Sequence, residues 1–182
     1  KQHLELCRDI AQKFNKDFEF NNFFKIPEPL IQKQFSRIMS LKDGLKKMSK
    51  SELSDLSRIN LTDEKDLIIN KIKKAKTDIQ PIPSNVEDLE KRPEAKNLLG
   101  IYSSLSNLSL EDSVKIFEGK NFSEFKHQLS EVLIEKIDPI SKEIKKLINE
   151  EDFLNKILLE GHQKANNIAS KKLKKLQEIV GF

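Results

Sequence analysis

Two lysines, Lys47 and Lys50, lie three residues apart in the segment Lys-Lys-Met-Ser-Lys-Ser at 46–51. A glycine precedes the segment, and two serines lie within it. When pyrophosphate leaves an α-phosphate, negative charge grows on the leaving oxygens, and a lysine that arrives at that moment stabilises the transition state more than the ground state. Serine hydroxyls add hydrogen-bond donors for phosphate oxygens. The spacing therefore fits contact with a phosphate leaving group, and it fits equally a solvated loop rich in lysine and serine.

The elements around this segment are predicted from periodicity. Residues 36–41 are short and apolar, which predicts a strand, and the Lys-Asp-Gly that follows predicts a turn. Residues 45–60 lack clean periodicity and predict a mobile loop with one helical turn. Thr62 or Asp63 can then cap a helix that runs to about Lys76.

The composition favours helices. The chain has 182 residues, 37% hydrophobic and 34% charged, with 5 glycines and 6 prolines. This balance is too apolar for a disordered chain, and the scarcity of glycine and proline favours a mainly α fold. Cys7 is the single cysteine, so an internal disulfide is excluded. No apolar run approaches the roughly 18 residues of a membrane span, and we expect no membrane partner.

Helices are predicted over most of the C-terminal part. Ser109 can cap a short helix through Phe117, with Gly119 as its C-terminal stop. A long amphipathic pattern over 122–149 predicts a helix with a kink at Pro139. We therefore expect a helical bundle in this part of the chain.

The last predicted helix, 162–180, follows a short helix that we expect to end at Gly161. It carries clustered lysines and a single acid, Glu178. Such clustering can follow a phosphate backbone and give salt-dependent affinity, or it can simply be a solvated helix face. The four residues considered for RNA binding are Lys171, Lys172, Lys174 and Lys175.

The stretch SRIMSLKDGLKKMSKS resembles the second signature of the class I aminoacyl-tRNA synthetases, and specifically that of the tryptophan enzymes of bacterial and organellar type. Further matches to this family run in order over nearly the whole chain and make the resemblance more specific than KMSKS alone. They are KQHLELCRDIAQKFN, FFKIPEP, KIKKAKTD, RPEAKNLLGIY, FEGKNFSEFKHQLSEVLIEKIDPI and the closing GF.

The resemblance implies that the chain takes part in joining L-tryptophan to tRNA(Trp) at the expense of ATP. It implies that ATP arrives with substrate-bound Mg²⁺, without a metal site of the protein. Lys47 and Lys50 would be the catalytic contacts, and Ile38 would meet the adenine through its backbone. The ATP-binding residues carried over from the family are Ile38, Lys47, Met48, Ser49, Lys50 and Ser51.

The resemblance also implies an organisation. Residues 1–60 would be the C-terminal remnant of a Rossmann-like catalytic domain, and residues 61–182 an all-α bundle that binds tRNA. The chain lacks the family's first signature and its GxDQ motif. We therefore expect the C-terminal half of a cytoplasmic enzyme that is a homodimer at full length, and we expect this half alone to be inactive.

Two alternatives stay open at this point. One is a helical RNA-binding module without catalysis, in which the KMSKS loop is vestigial. The other is a helical scaffold that binds protein.

Overall fold

The computed structural model describes residues 2–30 and 37–182. The described chain is mainly α, which confirms the predicted fold class, and its one sheet is a two-stranded hairpin of β1 (Met39–Ser40) and β2 (Asp43–Lys47). The first residue of the predicted strand 36–41 lies outside the described residues. The helices are α1 (Gln2–Asp17), α2 (Lys65–Lys73), α3 (Pro93–Ser106), α4 (Leu110–Phe117), α5 (Phe122–Ile148) and α6 (Glu151–Val180).

The chain forms two compact units, Lys1–Gln32 with Asp152–Phe182, and Lys33–Glu151. The predicted division at residue 60, between a catalytic part and a tRNA-binding part, concerns function and stays a prediction. Within the described ranges, no helix is both long and apolar enough to cross a membrane.

Helices α2 to α5 surround the core of the larger unit. α2 packs against α5, and α3 packs against α4 and α5. Three aromatic rings meet at the centre, since Phe117 lies 4.8 Å from both Tyr102 and Phe125 between ring centroids, in edge-to-face geometry. Leu41 of the hairpin is also buried in this core. Burial of this apolar side chain therefore packs the hairpin against the helices, and such burial is the main stabilising term in folding.

Local signals fixed several helix ends as predicted. The Ser109 hydroxyl accepts a hydrogen bond from the Asp112 amide at 3.0 Å, which caps α4, and Gly119 after α4 adopts a φ of 71°. A side-chain oxygen at a helix start satisfies an amide that has no partner within the helix, so this cap is predictable from sequence. Pro139 lies within α5, and the kink predicted there stays a prediction.

Two expectations about helix ends were wrong. Gly161 does not end a helix, because α6 runs unbroken through it. A glycine inside a helix costs only about 1 kcal/mol, and the strong helix formers on both sides outweigh that cost. Asp63 does not cap α2 either. The N-cap residue is Glu64, and Asp63 is buried instead.

The smaller unit has little buried apolar surface. In α1 the ring of Phe14 lies 5.1 Å from Phe23 and 5.0 Å from Phe24 between centroids. The Asn15 side chain bonds both the amide and the carbonyl of Phe24, at 2.9 and 2.8 Å. By contrast, α6 has no buried residue along its whole length.

Candidate functional site

The KMSKS segment starts inside the hairpin rather than after it. β1 and β2 are antiparallel, and Met39 pairs with Lys47. The Met48 amide then donates to the Ile38 carbonyl at 3.0 Å. The loop was predicted to begin at residue 45. This boundary is wrong, because backbone pairing continues through Met48. Lys47 is held by strand geometry, whereas Lys50 follows in irregular backbone.

A cavity of about 680 Å³ opens beside this segment. Residues 47–50 of the loop and residues 58–62 both contribute to its lining. A volume of this size falls in the range of small-molecule sites. The lining residues are Arg37, Ile38, Lys47, Met48, Ser49, Lys50, Arg58, Ile59, Asn60, Leu61 and Thr62.

All the charged side chains that line the cavity are basic. The lining contains four basic side chains and no carboxylate. Lys47 and Lys50 are exposed, and neither forms an ion pair with a carboxylate of the described residues. The neighbouring Lys46 instead lies 3.7 Å from Asp43 between Nζ and Oδ2, and it does not line the cavity. Unpaired ammonium groups in a cleft without acids attract anions.

The structure brings five of the six predicted ATP-binding residues into one lining. Ser51 is the exception, although its hydroxyl lies 2.8 Å from that of Ser49. Met48 packs partly buried against the core, so an apolar side chain anchors the loop between the two lysines. The role of each residue toward ATP stays a prediction.

Helix α3 fixes the start of the loop. The Asn97 side chain pairs with both backbone groups of Met39: its Oδ1 accepts from the amide and its Nδ2 donates to the carbonyl, each at 2.9 Å. This arrangement mimics the hydrogen bonding of a neighbouring strand and satisfies a strand edge. Sequence reasoning missed Asn97 as a positioning residue, because its partner lies 58 residues away.

The hairpin also lies directly against the N-terminus of α3. A Cβ atom at Gly44 would lie 2.5 Å from the carbonyl carbon of Pro93, so only glycine fits there. Next to this contact, Lys76 pairs with Glu94 at 2.7 Å, and this hydrogen bond holds the pKa of the Glu94 carboxyl below its usual value. The Lys76 amide donates to the Leu41 carbonyl at 2.7 Å. The turn predicted at Lys42–Gly44 lies instead at Leu41 and Lys42, with Asp43 and Gly44 already in β2, and these tertiary contacts hold it in place.

The lysines predicted to bind tRNA lie on α6, in the smaller unit. All four are exposed. The Lys172 ammonium lies 3.8 Å from the centre of the Phe23 ring and donates to the Phe23 carbonyl. Lys171, Lys174 and Lys175 form no ion pair with a carboxylate in the described part of the chain. Their role toward RNA stays a prediction.

No group of three or more histidine, cysteine, aspartate or glutamate residues in the described ranges is placed to hold a metal ion. The carboxylate-free lining of the cavity agrees with this observation.

The sequence matches the family model of class I tRNA synthetases (W and Y) over residues 1–137. The match covers α1, the hairpin with its loop, and the helices up to most of α5.

Several curated proteins are similar over the whole chain. The tryptophan–tRNA ligase of Mesorhizobium japonicum is 46% identical over 200 residues, which covers 100% of this chain and 56% of that protein. The tryptophan–tRNA ligase of Rickettsia felis is 50% identical over 182 residues, with 100% and 54% covered. The chain thus spans about half the length of the curated relatives that it matches.

Solved structures show the same fold. The tryptophanyl-tRNA synthetase of Mycoplasma pneumoniae matches with a TM-score of 0.79 at 29% identity, over 100% of this chain and 53% of that one. The enzyme of Campylobacter jejuni, complexed with ADP and tryptophan, matches with a TM-score of 0.67 at 25% identity, over 100% and 54%.

Proposed function

This chain belongs to the family of class I tRNA synthetases (W and Y), and we propose that it is the part of a tryptophan–tRNA ligase that carries the KMSKS loop. The full-length protein would join L-tryptophan to tRNA(Trp), with conversion of ATP to AMP and diphosphate. The curated relatives are tryptophan–tRNA ligases at 43–50% identity, which favours tryptophan over tyrosine. Because the chain spans about half of their length, the activity is proposed for the full-length protein.

The observation that carries this proposal is the basic cavity beside Lys47 and Lys50. In adenylate formation the tryptophan carboxylate attacks the α-phosphorus of ATP, and the bond to the leaving pyrophosphate oxygen breaks. Negative charge then builds on the pyrophosphate. Lys47 and Lys50 would contact it without first having to leave a carboxylate partner, so their charge is available to the transition state.

The adenine end of ATP would lie beside Ile38. The Ile38 carbonyl already accepts the Met48 amide, and a carbonyl oxygen retains a second lone pair. A contact there would join the nucleotide to the same backbone that positions the loop. Met48 would then lie between the adenine on one side and the helical core on the other.

Magnesium fits this site only as part of the substrate. Mg²⁺ prefers carboxylate, water and phosphate oxygens, and the lining offers no carboxylate. The ATP phosphates would therefore hold the ion, which neutralises part of their charge. The lysines would neutralise the rest.

For tRNA(Trp), we propose the exposed lysines of α6 as phosphate contacts. Lys171, Lys174 and Lys175 pair with no carboxylate of the described residues, so their charge is available for this purpose, whereas Lys172 would first have to leave Phe23. The homodimer and the cytoplasmic location that the family suggests are proposals of the same kind.

The decisive experiment measures tryptophan-dependent ATP–pyrophosphate exchange in the full-length ligase that contains this chain. We expect exchange with tryptophan and none with tyrosine, and we expect none from the 182 residues alone. Binding to tRNA(Trp), and to the same tRNA with an altered anticodon, is measured at two salt concentrations in parallel. If the full-length protein shows no exchange but binds tRNA, the chain is an RNA-binding module without catalysis, and the proposal is wrong.

A further inference from the structure

A buried lysine lies behind the candidate site. Lys71 of α2 is fully buried, and its ammonium lies 2.6 Å from Oδ2 of Asp63 and 2.6 Å from Oδ2 of Asp55. Removing an ammonium group from water costs several kcal/mol, which the two carboxylates offset. An apolar residue would fill the position at lower cost. The network therefore calls for an explanation beyond stability.

Both carboxylates belong to the segment that follows the loop. Asp55 begins the 3₁₀ turn Asp55–Ser57, four residues after Ser51. Asp63 lies just before α2 and is itself buried. Lys71 thus holds the two ends of the segment 55–63, which includes the lining residues 58–62.

Two of these lining residues are part of the same network. The Arg58 guanidinium lies 3.0 Å from Oδ1 of Asp55 and donates to the Glu52 carbonyl at 2.8 Å. The Asn60 side chain donates to Asp55 at 3.0 Å and to Asp63 at 3.2 Å. Arg58 and Asn60 both line the cavity, so the orientation of these side chains depends on the carboxylates that Lys71 holds.

Helix α2 is a firm support for this network. Ile68, one turn before Lys71, and Ile72, the residue after it, are at 0% exposure and belong to the core, and α2 packs against α5. Lys126 of α5 donates to the Ala75 carbonyl at 2.7 Å, just beyond the C-terminus of α2. The position of Lys71 is therefore set by the helical core rather than by the loop.

We propose that Asp55 and Lys71 are positioning residues for the reaction, which fix on α2 both the end of the KMSKS loop and residues 58–62 of the cavity lining. The inference rests on the proposed function. Through this link, Lys50 keeps its position relative to the other basic residues of the lining. Neither Asp55 nor Lys71 lines the cavity, so both act through Arg58, Asn60 and the loop backbone.

Asp55→Ala is the variant that tests the proposal. Asp55 is half exposed, and its removal leaves Lys71 paired with Asp63, so the core keeps its buried ion pair. In the full-length ligase we expect kcat for ATP–pyrophosphate exchange to fall about ten-fold, because small displacements of a catalytic group are costly. The KM for tryptophan should not change, since the affected lysine acts on the leaving group. Asp55→Asn keeps an oxygen that can accept from Lys71 and should recover most of the activity.

The matched control is Asp138→Ala. Asp138 also pairs with a lysine of α2, Lys65 at 3.5 Å, but it lies on α5, and its ion-pair partners Lys65 and Lys142 both lie outside the segment 46–63. We expect exchange within about two-fold of the parent enzyme, as for other surface ion pairs. An equal decrease of ATP–pyrophosphate exchange in both aspartate variants would show that the loss comes from general destabilisation. That result would overturn the proposal.

Amide hydrogen exchange gives a second readout that does not need activity. The Leu41 amide donates to the backbone carbonyl of Ser57 at 2.8 Å, and the Arg58 amide donates to the backbone carbonyl of Asp55 at 3.4 Å, so both amides report on the backbone of this turn. Asp55→Ala should accelerate exchange at both amides and leave α5 unchanged. Lys50→Ala is assayed alongside. If Lys50→Ala lowers activity while Asp55→Ala does not, the positioning role fails and the proposed function stands. If Lys50→Ala has no effect, the proposed role of Lys50 in the reaction fails, and the positioning role fails with it. Absence of tryptophan-dependent exchange in the parent enzyme is the separate outcome that overturns the proposed function.

Discussion

Two sets of exposed lysines in this chain have the same chemistry, but they differ in how firmly the surrounding structure holds them. Lys47 lies at the end of the hairpin and Lys50 in the loop after it, and this region is tied to helices by Asn97 at its start and by the Lys71 network after it. The lysines at 171–175 lie on α6, which has no buried residue. Under the proposed function, the first set acts on one group of atoms, and the second supplies positive charge along a surface.

The difference lies in preorganisation. A charge stabilises a transition state only when it is already in place, since reorganisation would cost part of the gain. A charge that holds a polyanion needs no fixed position, because counterion release depends on how many phosphates are neutralised more than on geometry. We therefore expect substitutions in the two sets to change different measurements.

The largest effect is expected for Lys50→Ala in the full-length ligase. Removing one group that contacts the transition state should lower kcat for ATP–pyrophosphate exchange by about 100-fold or more, while tRNA affinity stays nearly the same. Lys46→Ala is the matched control, because Lys46 is an adjacent exposed lysine that pairs with Asp43 outside the cavity. Equal decreases in both variants would mean that only total charge matters, and the contrast with α6 would disappear.

Two glycine substitutions test how closely the hairpin and α6 are packed against their surroundings. Gly44→Ala would place Cβ 2.5 Å from Pro93, and we expect it to lower the free energy of unfolding by about 1–3 kcal/mol, as overpacking does. Gly161→Ala lies in α6 with no atom within 4 Å of the new Cβ. It should stabilise the helix by up to about 1 kcal/mol. Urea denaturation measures both, and a tolerated Gly44→Ala would show that the hairpin is not locked on α3.

The α6 lysines should change the dependence on salt. With Lys171, Lys172, Lys174 and Lys175 changed to glutamine, we expect weaker tRNA binding and a smaller slope of log K against log salt, by about 0.9 for each phosphate that is no longer neutralised. ATP–pyrophosphate exchange, which needs no tRNA, should stay at the parent level. Lys172→Gln alone should reduce the slope less than Lys175→Gln alone, since Lys172 is engaged with Phe23. An unchanged slope in the four-residue variant would remove α6 from the RNA interface.

The smallest effect is expected when the pH is lowered. The hydrogen bonds from Lys71 and then from Asn60 hold the pKa of the Asp55 carboxyl below its usual value. A carboxylate with a lowered pKa in the folded protein contributes stability above its unfolded pKa and loses it as the pH falls through the folded value. We therefore expect the Arg58 amide to exchange relatively faster in acid, with the amides of α5 as internal reference. In Asp55→Asn this relative acceleration should be absent.

Local signals predicted the features that depend on neighbours in sequence. Ser109 and Gly119 mark the ends of α4 because a helix terminus is satisfied by side chains and backbone within a few residues. Gly161 misled the same reasoning, since a glycine signal carries no information about the strength of the helix around it. The short spacing of the KMSKS lysines singled them out as candidates, and their role toward phosphate stays a prediction.

The sequence by itself determined the mainly α class and the cap of α4, and it singled out the KMSKS loop as the candidate phosphate contact, because composition, periodicity and short motifs act over a few residues. Only the tertiary structure decided that Asn97 completes the edge of β1 from 58 residues away, and that Lys71 is buried between two aspartates. Both are polar residues within helical patterns, where a solvated face is the ordinary expectation. Their roles depend on desolvation and on partners that meet only when the chain folds, and no local pattern encodes either.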